Sequence, residues 1–314
     1  MRIILFSSGF NGYDISIKNS LQSLRNKVKH YSYRSNGYSG NFHKRFLHKI
    51  RSKISSTYEF DRWNRGLIEL CEKSCPDIVI ILKGEIIYPE TIDWIKKNTK
   101  SKIICWFMDV ISRYSQVNKL VPLYDYFFTY EPDDIDHLKG LNPNVFYLPL
   151  AYDPNIFYPM KNVKKKWDLC FIGTWSKNRE EFLLSLTALL KKEGFNCIFF
   201  MNYYSLFRPS SWIKWLLSDT KYQFFEQHEY FNLEKVNLLF NQSKVCLNIH
   251  QKFTKNALSI RSFEIIGSGQ LQLIEDFNSA KKLFEDEKSI TLYNTANDLV
   301  SKLKVLLNLL NCMI

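Results

Sequence analysis

Short, continuously apolar runs alternate along the chain with amphipathic stretches. Residues 77–82 (DIVIIL) form one such run and residues 102–108 form another. Runs of this length without polar alternation predict strands that are buried on both faces of a parallel sheet. Between them, residues 88–98 have helical periodicity, with Pro89 where a first turn tolerates it. The same order of strand, polar tip and helix recurs from residue 167 onward, which predicts an α/β protein.

A proline-spaced stretch interrupts this order near the middle of the chain. Residues 149–159 read PLAYDPNIFYP, a turn-rich composition that is typical of a connection between domains. We therefore predict an amino-terminal α/β domain over residues 1–150, a linker over 151–166 and a carboxyl-terminal α/β domain over 167–314.

Composition narrows the class of protein. Hydrophobic residues make up 46% of the chain and charged residues 24%, which is typical of a globular protein. The seven cysteines lie mostly inside apolar runs, and Cys71 and Cys75 have no second Cys/His pair nearby, so we expect reduced thiols rather than a zinc site. No window approaches the roughly 20 apolar residues that a membrane-spanning helix needs. These features predict a cytoplasmic protein.

The net charge of +12 is unevenly distributed. Residues 15–58 contain ten Lys or Arg residues and no Asp or Glu, and residues 42–54 place an apolar side chain at every fourth position among basic ones. This pattern predicts a cationic amphipathic helix that contacts the inner face of the cytoplasmic membrane, although an ordinary solvated helix fits the same pattern. Nucleic acid is not an expected partner, because no helix-turn-helix, zinc-finger or RNP pattern accompanies the charge.

Residues 256–276 (NALSIRSFEIIGSGQLQLIED) combine three features that suit a nucleotide site. Arg261 and Glu264 lie at i,i+3 spacing near the start of a predicted helix, glycines end that helix, and residues 271–274 form a short buried strand. A helix N-terminus and an arginine attract phosphate, and a carboxylate accepts hydrogen bonds from ribose hydroxyls. The alternative is a surface ion pair followed by a glycine cap.

The longer segment 245–277 resembles the donor-side signature of CgeB-like and group-1 (family 4-like) glycosyltransferases, in which R-x-F-E-x-x-x-x-G follows a strand ending in Leu-Asn. Residues 149–159 also resemble the linker of those enzymes. The resemblance implies a GT-B-like fold, with two Rossmann-like α/β domains facing across a cleft. The matching positions are Leu247, Asn248, Arg261, Phe263, Glu264 and Gly269.

The resemblance further implies an enzyme that moves a sugar from a nucleotide-sugar donor. In such enzymes basic side chains and helix N-termini, rather than a metal, usually neutralise the diphosphate, so we expect neither a metal nor another cofactor. Glu264 resembles the carboxylate that binds ribose. The candidate donor-binding residues are Gly173, Thr174, Lys177, Arg179, Asn248, Ser259, Arg261 and Glu264.

The first candidate for catalysis is Asp109, because it ends a buried strand, and Glu131 and Glu85 come next. His250 follows a strand and is a further candidate, which could contact the donor or the acceptor. An inverting transferase needs such a base, whereas a retaining one, which we favour, uses Asp109 only to orient the acceptor. Asp109 also fits a helix N-cap. The pair Asp133-Asp134 follows a proline and reads as helix capping rather than as a metal-binding DxD motif.

Together these observations predict a transferase acting on a glycan or lipid-diphosphate-linked acceptor in surface polysaccharide biosynthesis, of the O-antigen, capsule or lipopolysaccharide kind. Two alternatives remain open. A non-catalytic envelope- or spore-assembly protein would keep the two-domain shell without turnover, and a nucleotide-sugar epimerase would act without an acceptor.

Overall fold

The computed structural model describes residues 1–9, 12–33, 56–202, 225–227, 232–284 and 290–312. The helices predicted over 42–54 and 210–217 lie outside the described residues. The chain divides into two compact units, Met1–Pro149 and Leu150–Ile314.

The first unit contains a six-stranded sheet in the order β2-β1-β3-β4-β5-β6, and all of its strand pairs are parallel. The strands are β1 (Arg2–Ser7), β2 (Lys27–Ser32), β3 (Ile78–Leu82), β4 (Lys102–Phe107), β5 (Tyr126–Thr129) and β6 (Val145–Tyr147). The helices are α1 (Tyr13–Ser23), α2 (Ser56–Ser74), α3 (Pro89–Asn98), α4 (Val117–Leu120) and α5 (Ile135–Lys139), with short 3₁₀ turns at Ile111–Arg113, Val121–Leu123 and Pro132–Asp134.

The second unit repeats the architecture with the sheet order β12-β11-β10-β7-β8-β9, again with parallel pairs. Its strands are β7 (Trp167–Thr174), β8 (Cys197–Asn202), β9 (Phe225–Gln227), β10 (Ser243–Asn248), β11 (Leu271–Glu275) and β12 (Ile290–Tyr293). Its helices are α6 (Lys177–Lys192), α7 (Leu233–Asn241), α8 (Ile260–Gly267), α9 (Asn278–Leu283) and α10 (Ala296–Cys312).

The interior strands match the predicted apolar runs, and the differences lie at the sheet edges. Sequence analysis predicts neither β2 nor β9. Strand β2 (KVKHYS) is partly exposed along its length, so its polar residues carry no buried-strand signal. Strand β7 extends two residues further than expected, which places Gly173 and Thr174 at its end rather than in a turn.

Each sheet has one point where the strand order reverses, between β1 and β3 in the first unit and between β7 and β10 in the second. In doubly wound sheets ligands bind at the carboxyl ends of the strands, in the crevice at this reversal. The carboxyl edge of each sheet is therefore the place to look for function.

Buried aliphatic side chains fix the helices that support these edges. In the second unit Leu183, Leu186 and Leu190 of α6 are buried in one cluster with Leu299 and Leu303 of α10. Burying each such side chain contributes about 1.5–3 kcal/mol, so α6 is firmly held and its first turn is a rigid platform. Among the described residues, no helix is both long and apolar enough to cross a membrane.

Candidate functional site

Arg179 joins the two strands that separate at the reversal point of the second sheet. It lies in the first turn of α6, next to the N-cap Ser176, and only 8% of it is exposed. Its Nε and Nη2 donate to the Ile249 carbonyl oxygen, just after β10, at 3.0 and 2.5 Å. Its Nη1 donates to the Thr174 carbonyl oxygen at 3.0 Å and to Thr174 Oγ1 at 3.2 Å. The guanidinium group thus fixes the spacing of the crevice.

The charge of Arg179 has no close counter-ion: among the described residues, no carboxylate oxygen lies within 4.0 Å of it. Burial, followed by the nearby positive charge of Arg261, lowers the pKa of Arg179 to about 10. The group is therefore still protonated at neutral pH, and a buried cation of this kind favours an anion nearby. The donor-binding candidate Arg179 is therefore not a solvated residue on the helix surface, because its side chain is buried.

Gly173 makes room for this arrangement. A Cβ atom added there would lie 2.7 Å from Phe171 Cζ and 3.4 Å from Arg179 Nη1. Packing therefore requires glycine at this position, whether or not a phosphate approaches the backbone. Lys177, by contrast, points into solvent with 79% of its side chain exposed and lies 3.7 Å from Glu181.

Arg261 and Glu264 form an ion pair in α8, with Nη1 and Oε2 2.5 Å apart. It is not a surface pair, because Glu264 is fully buried and the side chain of Arg261 is one-fifth exposed. The guanidinium group also lies 5.4 Å from the centre of the Phe240 ring. Glu264 therefore holds Arg261 in place, and its carboxylate reaches a ribose only if this pair rearranges. The Ser259 N-cap makes no side-chain capping bond, which leaves the first turn of α8 open to an anion.

The buried side chain of Asn248 connects β10 to α8 and β11 through hydrogen bonds. Asn248 Nδ2 donates to Ser262 Oγ at 2.8 Å and to Gln272 Oε1 at 3.0 Å, while Ser259 Oγ donates to Asn248 Oδ1 at 3.4 Å. Asn248 is 1% exposed. It orders the loop before α8 and does not itself face a ligand. Ser262 and Gln272 were not anticipated, although a glutamine inside the apolar run of β11 was a usable signal.

His250 follows β10 and is held by two neighbours. The Ser259 N–H donates to its Nε2 at 3.3 Å, and its own backbone N–H donates to Glu275 Oε2 at 2.8 Å. The ring meets the Phe277 ring edge-on, with centroids 4.4 Å apart. Burial, and then the charge of Arg179, lowers the pKa of His250 to about 3. The imidazole is therefore neutral, and a group of such low basicity with an occupied Nε2 is poorly suited to act as a general base.

In the first unit, the carboxyl ends of β3 and β4 bring Lys83 and Glu85 close to the catalytic candidate Asp109. Lys83 Nζ lies 3.6 Å from Glu85 Oε1 and 3.4 Å from Asp109 Oδ2. Burial opposes the charge of Lys83, but the carboxylates, Glu85 foremost, and Tyr114 raise its pKa overall. Asp109 also accepts hydrogen bonds from Arg113 Nη1 at 2.8 Å, from Tyr114 Oη at 2.9 Å and from the Val110 N–H at 2.9 Å. Its carboxylate is thus held in place by cations on two sides.

Glu131 lies apart from this cluster. It is fully buried, and its side chain caps the 3₁₀ turn Pro132–Asp134 by accepting from the Asp133 N–H at 3.5 Å. Asp133 and Asp134, which are predicted to cap a helix, lie at the start of α5, with Asp134 in its N-cap position. The side chain that caps the 3₁₀ turn is that of Glu131, and Asp134 Oδ2 accepts from the Ile111 N–H at 3.1 Å.

A second polar cluster, at the end of β1, was missed by sequence analysis. Ser7 Oγ lies 2.7 Å from Asp14 Oδ2 and 2.8 Å from His30 Nε2, and the last two atoms are 3.0 Å apart. Burial raises the pKa of Asp14, but the hydrogen bonds to His30 and Ser7 outweigh it and the pKa is lowered overall. Without a predicted β2, nothing in the sequence placed His30 beside Ser7.

Comparison with known proteins finds one family model that matches part of the second unit. Residues 188–309 match the family model Glyco_trans_1_2, described as glycosyl transferase-like. A comparison with curated protein sequences finds no match. The fold is similar to that of the sucrose-phosphate synthase tll1590 from Thermosynechococcus elongatus, with a TM-score of 0.65 and 9% identity over 98% of this chain and 90% of that one.

Two further solved structures share the fold. The lipopolysaccharide outer core galactosyltransferase WaaB gives a TM-score of 0.57 and 13% identity over 98% of this chain and 90% of that one. A putative UDP-N-acetylglucosamine 2-epimerase from Listeria monocytogenes gives 0.58 and 9% over 98% and 88%. The GT-B-like fold and the resemblance to group-1 glycosyltransferases are confirmed.

Proposed function

We propose that this protein transfers a sugar from a nucleotide-sugar donor to a glycan or lipid-linked acceptor, with the donor diphosphate at the reversal point between β7 and β10. The observation that carries this proposal is the buried, protonated Arg179, which has no carboxylate oxygen within 4.0 Å among the described residues. A diphosphate supplies the negative charge that this position lacks.

The same geometry supports a transfer that needs no metal. Arg179 contributes positive potential from behind the crevice, and Arg261 and the open first turn of α8 contribute it from the side. Together they would neutralise the leaving diphosphate as charge develops on it. Glu264 positions Arg261 and, once the pair rearranges, accepts the ribose hydroxyls.

A retaining reaction fits the residues of the first unit better than an inverting one. Asp109 is held by Lys83, Arg113 and Tyr114, so it is suited to orient an acceptor hydroxyl rather than to take its proton. Glu131 is buried as a cap, and His250 is a neutral imidazole.

The acceptor is proposed to be a lipid-diphosphate-linked glycan at the inner face of the cytoplasmic membrane, in surface polysaccharide assembly. The net charge of +12 and the basic segment 42–54 support this, and so does the likeness to WaaB. Liposome flotation tests it: reversing Lys44, Arg45, Lys49 and Arg51 to Glu should abolish binding to anionic vesicles, and unchanged binding would remove the membrane contact.

Thermal unfolding with UDP, GDP, ADP or CMP, in the presence of EDTA, tests the donor site. One nucleotide at 100 times its Kd should stabilise the protein by about 2.7 kcal/mol. Glu264→Gln should lose most of this stabilisation, because it removes the charge that fixes Arg261. The matched control is Asp168→Asn, which breaks the 2.8 Å pair with Lys244 at the opposite edge of the same sheet. Equal stabilisation of both variants would contradict the proposed site.

A nucleotide-sugar epimerase is the second candidate, favoured by the likeness to the Listeria enzyme. Nuclear magnetic resonance of a nucleotide sugar incubated with the protein alone distinguishes the two. An epimerase changes the stereochemistry of the sugar without an acceptor, whereas a transferase leaves it unchanged. Nucleotide-sugar binding without turnover on any glycan would instead favour the non-catalytic assembly protein.

A further inference from the structure

One buried polar atom at the carboxyl edge of the second sheet, Nδ1 of His250, has no hydrogen-bond partner within the described part of the chain. Because the Ser259 N–H donates to Nε2 of His250, the ring proton of the neutral imidazole lies on Nδ1. That Nδ1 is buried and makes no hydrogen bond to any residue that the structure describes. The Glu275 Oε2 atom is 3.8 Å away, beyond hydrogen-bonding range. Buried donors are nearly always satisfied, so this one points to an acceptor that a ligand supplies.

His250 lines a cavity of about 300 Å³ at the carboxyl ends of β10, β11 and β12. Its volume is at the lower end of those typical of small-molecule sites. Hydrogen-bond donors and acceptors of both charges line it together with the Phe277 ring: Gln251, Lys252, Thr254, Lys255, Glu275, Asp276 and Asn294. The carboxylates offset the lysines, and a lining that can both donate and accept suits a ring bearing several hydroxyl groups.

The cavity is continuous with the reversal point of the sheet. Gln251 lines the cavity, and its Nε2 donates to Thr174 Oγ1 at 3.4 Å, at the end of β7. Arg179 binds the carbonyl of Ile249, the residue that directly precedes His250. The residue bound by Arg179 and the residue that lines the cavity are therefore adjacent in the chain. A diphosphate beside Arg179 and a group in the cavity would be neighbouring parts of one ligand.

We propose that this cavity holds the glycosyl group of the nucleotide-sugar donor, and that His250 Nδ1–H donates a hydrogen bond to one of its hydroxyl oxygens. This rests on the proposed function, since the diphosphate beside Arg179 carries the glycosyl group into the cavity. His250 is then a specificity-determining residue, which selects sugars that present an acceptor oxygen at that point.

The test compares each nucleotide with its sugar conjugates: UDP with UDP-glucose, UDP-galactose and UDP-N-acetylglucosamine, GDP with GDP-mannose, and ADP with ADP-glucose. Titration calorimetry on the wild type should show tighter binding of one conjugate than of its nucleotide. His250→Phe keeps the ring and the contact with Phe277 but removes the Nδ1 donor. It should weaken that conjugate about 3- to 10-fold and leave the nucleotide unchanged.

Two more variants keep the result interpretable. Asn294→Trp, at an exposed rim position, should narrow the cavity and weaken the conjugate without disturbing the core. Thr187→Val removes a buried hydroxyl that bonds only within α6, and should change neither affinity. If a nucleotide binds but the variants discriminate its conjugates as the wild type does, the cavity is not the sugar site and the proposed function stands. If no nucleotide or conjugate binds, both proposals fail.

Discussion

The two sheets share their architecture but differ in how their carboxyl edges handle charge. In the first unit the edge is neutralised internally: His30 pairs with Asp14 at 3.0 Å, and Lys83 lies within 3.6 Å of both Glu85 and Asp109. In the second unit Arg179 is buried with no carboxylate oxygen within 4.0 Å among the described residues. The same fold therefore presents one edge whose charges are paired in close contact and one edge whose buried guanidinium group has no carboxylate in contact among the described residues.

The difference suggests that the two edges bind different kinds of ligand. An edge whose charges are already paired offers oriented donors and acceptors without net attraction, which suits a neutral polyol. An edge with a buried guanidinium group that no carboxylate contacts suits the proposed diphosphate. The two histidines also differ: His30 Nε2 lies 3.0 Å from the Asp14 carboxylate, whereas His250 Nδ1 lies 3.8 Å from that of Glu275, and burial and the charge of Arg179 lower the pKa of His250.

Removing the buried guanidinium group should have the largest effect. Arg179→Leu leaves the Ile249 and Thr174 carbonyls without their donors, and we expect a loss of about 3 kcal/mol in the free energy of unfolding. Stabilisation by nucleotide should also disappear. Urea denaturation with and without nucleotide measures both.

The control for this variant is Lys177→Ala, two residues earlier on the exposed face of the same helix, which should cost less than about 0.5 kcal/mol. An Arg179→Leu protein that retained nucleotide binding would show that the charge of Arg179 has no role in binding.

Acid should destabilise the two edges at different pH values. The folded pKa of His250 is about 3, below its ordinary value of 6.5, so the unfolded chain binds a proton before the folded one does. Stability is thus lost as pH falls below 6.5, by about 2 kcal/mol near pH 5. His250→Phe should lack this loss, as judged from urea unfolding at both pH values. His137→Asn, on the exposed surface of the first unit, is the control and should behave like the wild type.

The fold was largely readable from the sequence because it follows local pattern. Buried strands such as β3 and β4 are recognisable in the sequence as apolar runs, and the glycines around the end of α8 indicate where that helix stops. Strand β2 was not predicted, because its residues are partly exposed and form a strand only by pairing with β1.

The site was less readable because burial there depends on distant contacts. A position in the first turn of a helix predicts an exposed side chain for Arg179. Its burial depends on a hydrogen bond to Ile249, which lies 70 residues away in the sequence. Spacing alone predicted that Arg261 and Glu264 interact, but not that Glu264 is fully buried. The proton position on His250 depends on Ser259, whose backbone no local pattern places.

The smallest expected effect concerns the first unit. Asp14→Asn should lower stability at pH 7 by about 1 kcal/mol, because it weakens the hydrogen bonds to Ser7 and His30. The folded pKa of Asp14 is lowered below 3.8, so its carboxylate stabilises the fold above that pH and the contribution is lost as pH falls through the folded pKa. Wild type and variant should therefore converge in urea unfolding once the pH falls below the folded pKa of Asp14, while the exposed control Asp93→Asn matches the wild type throughout. A difference in the free energy of unfolding between wild type and variant that persists at low pH would mean that packing, and not the charge of Asp14, stabilises the first edge.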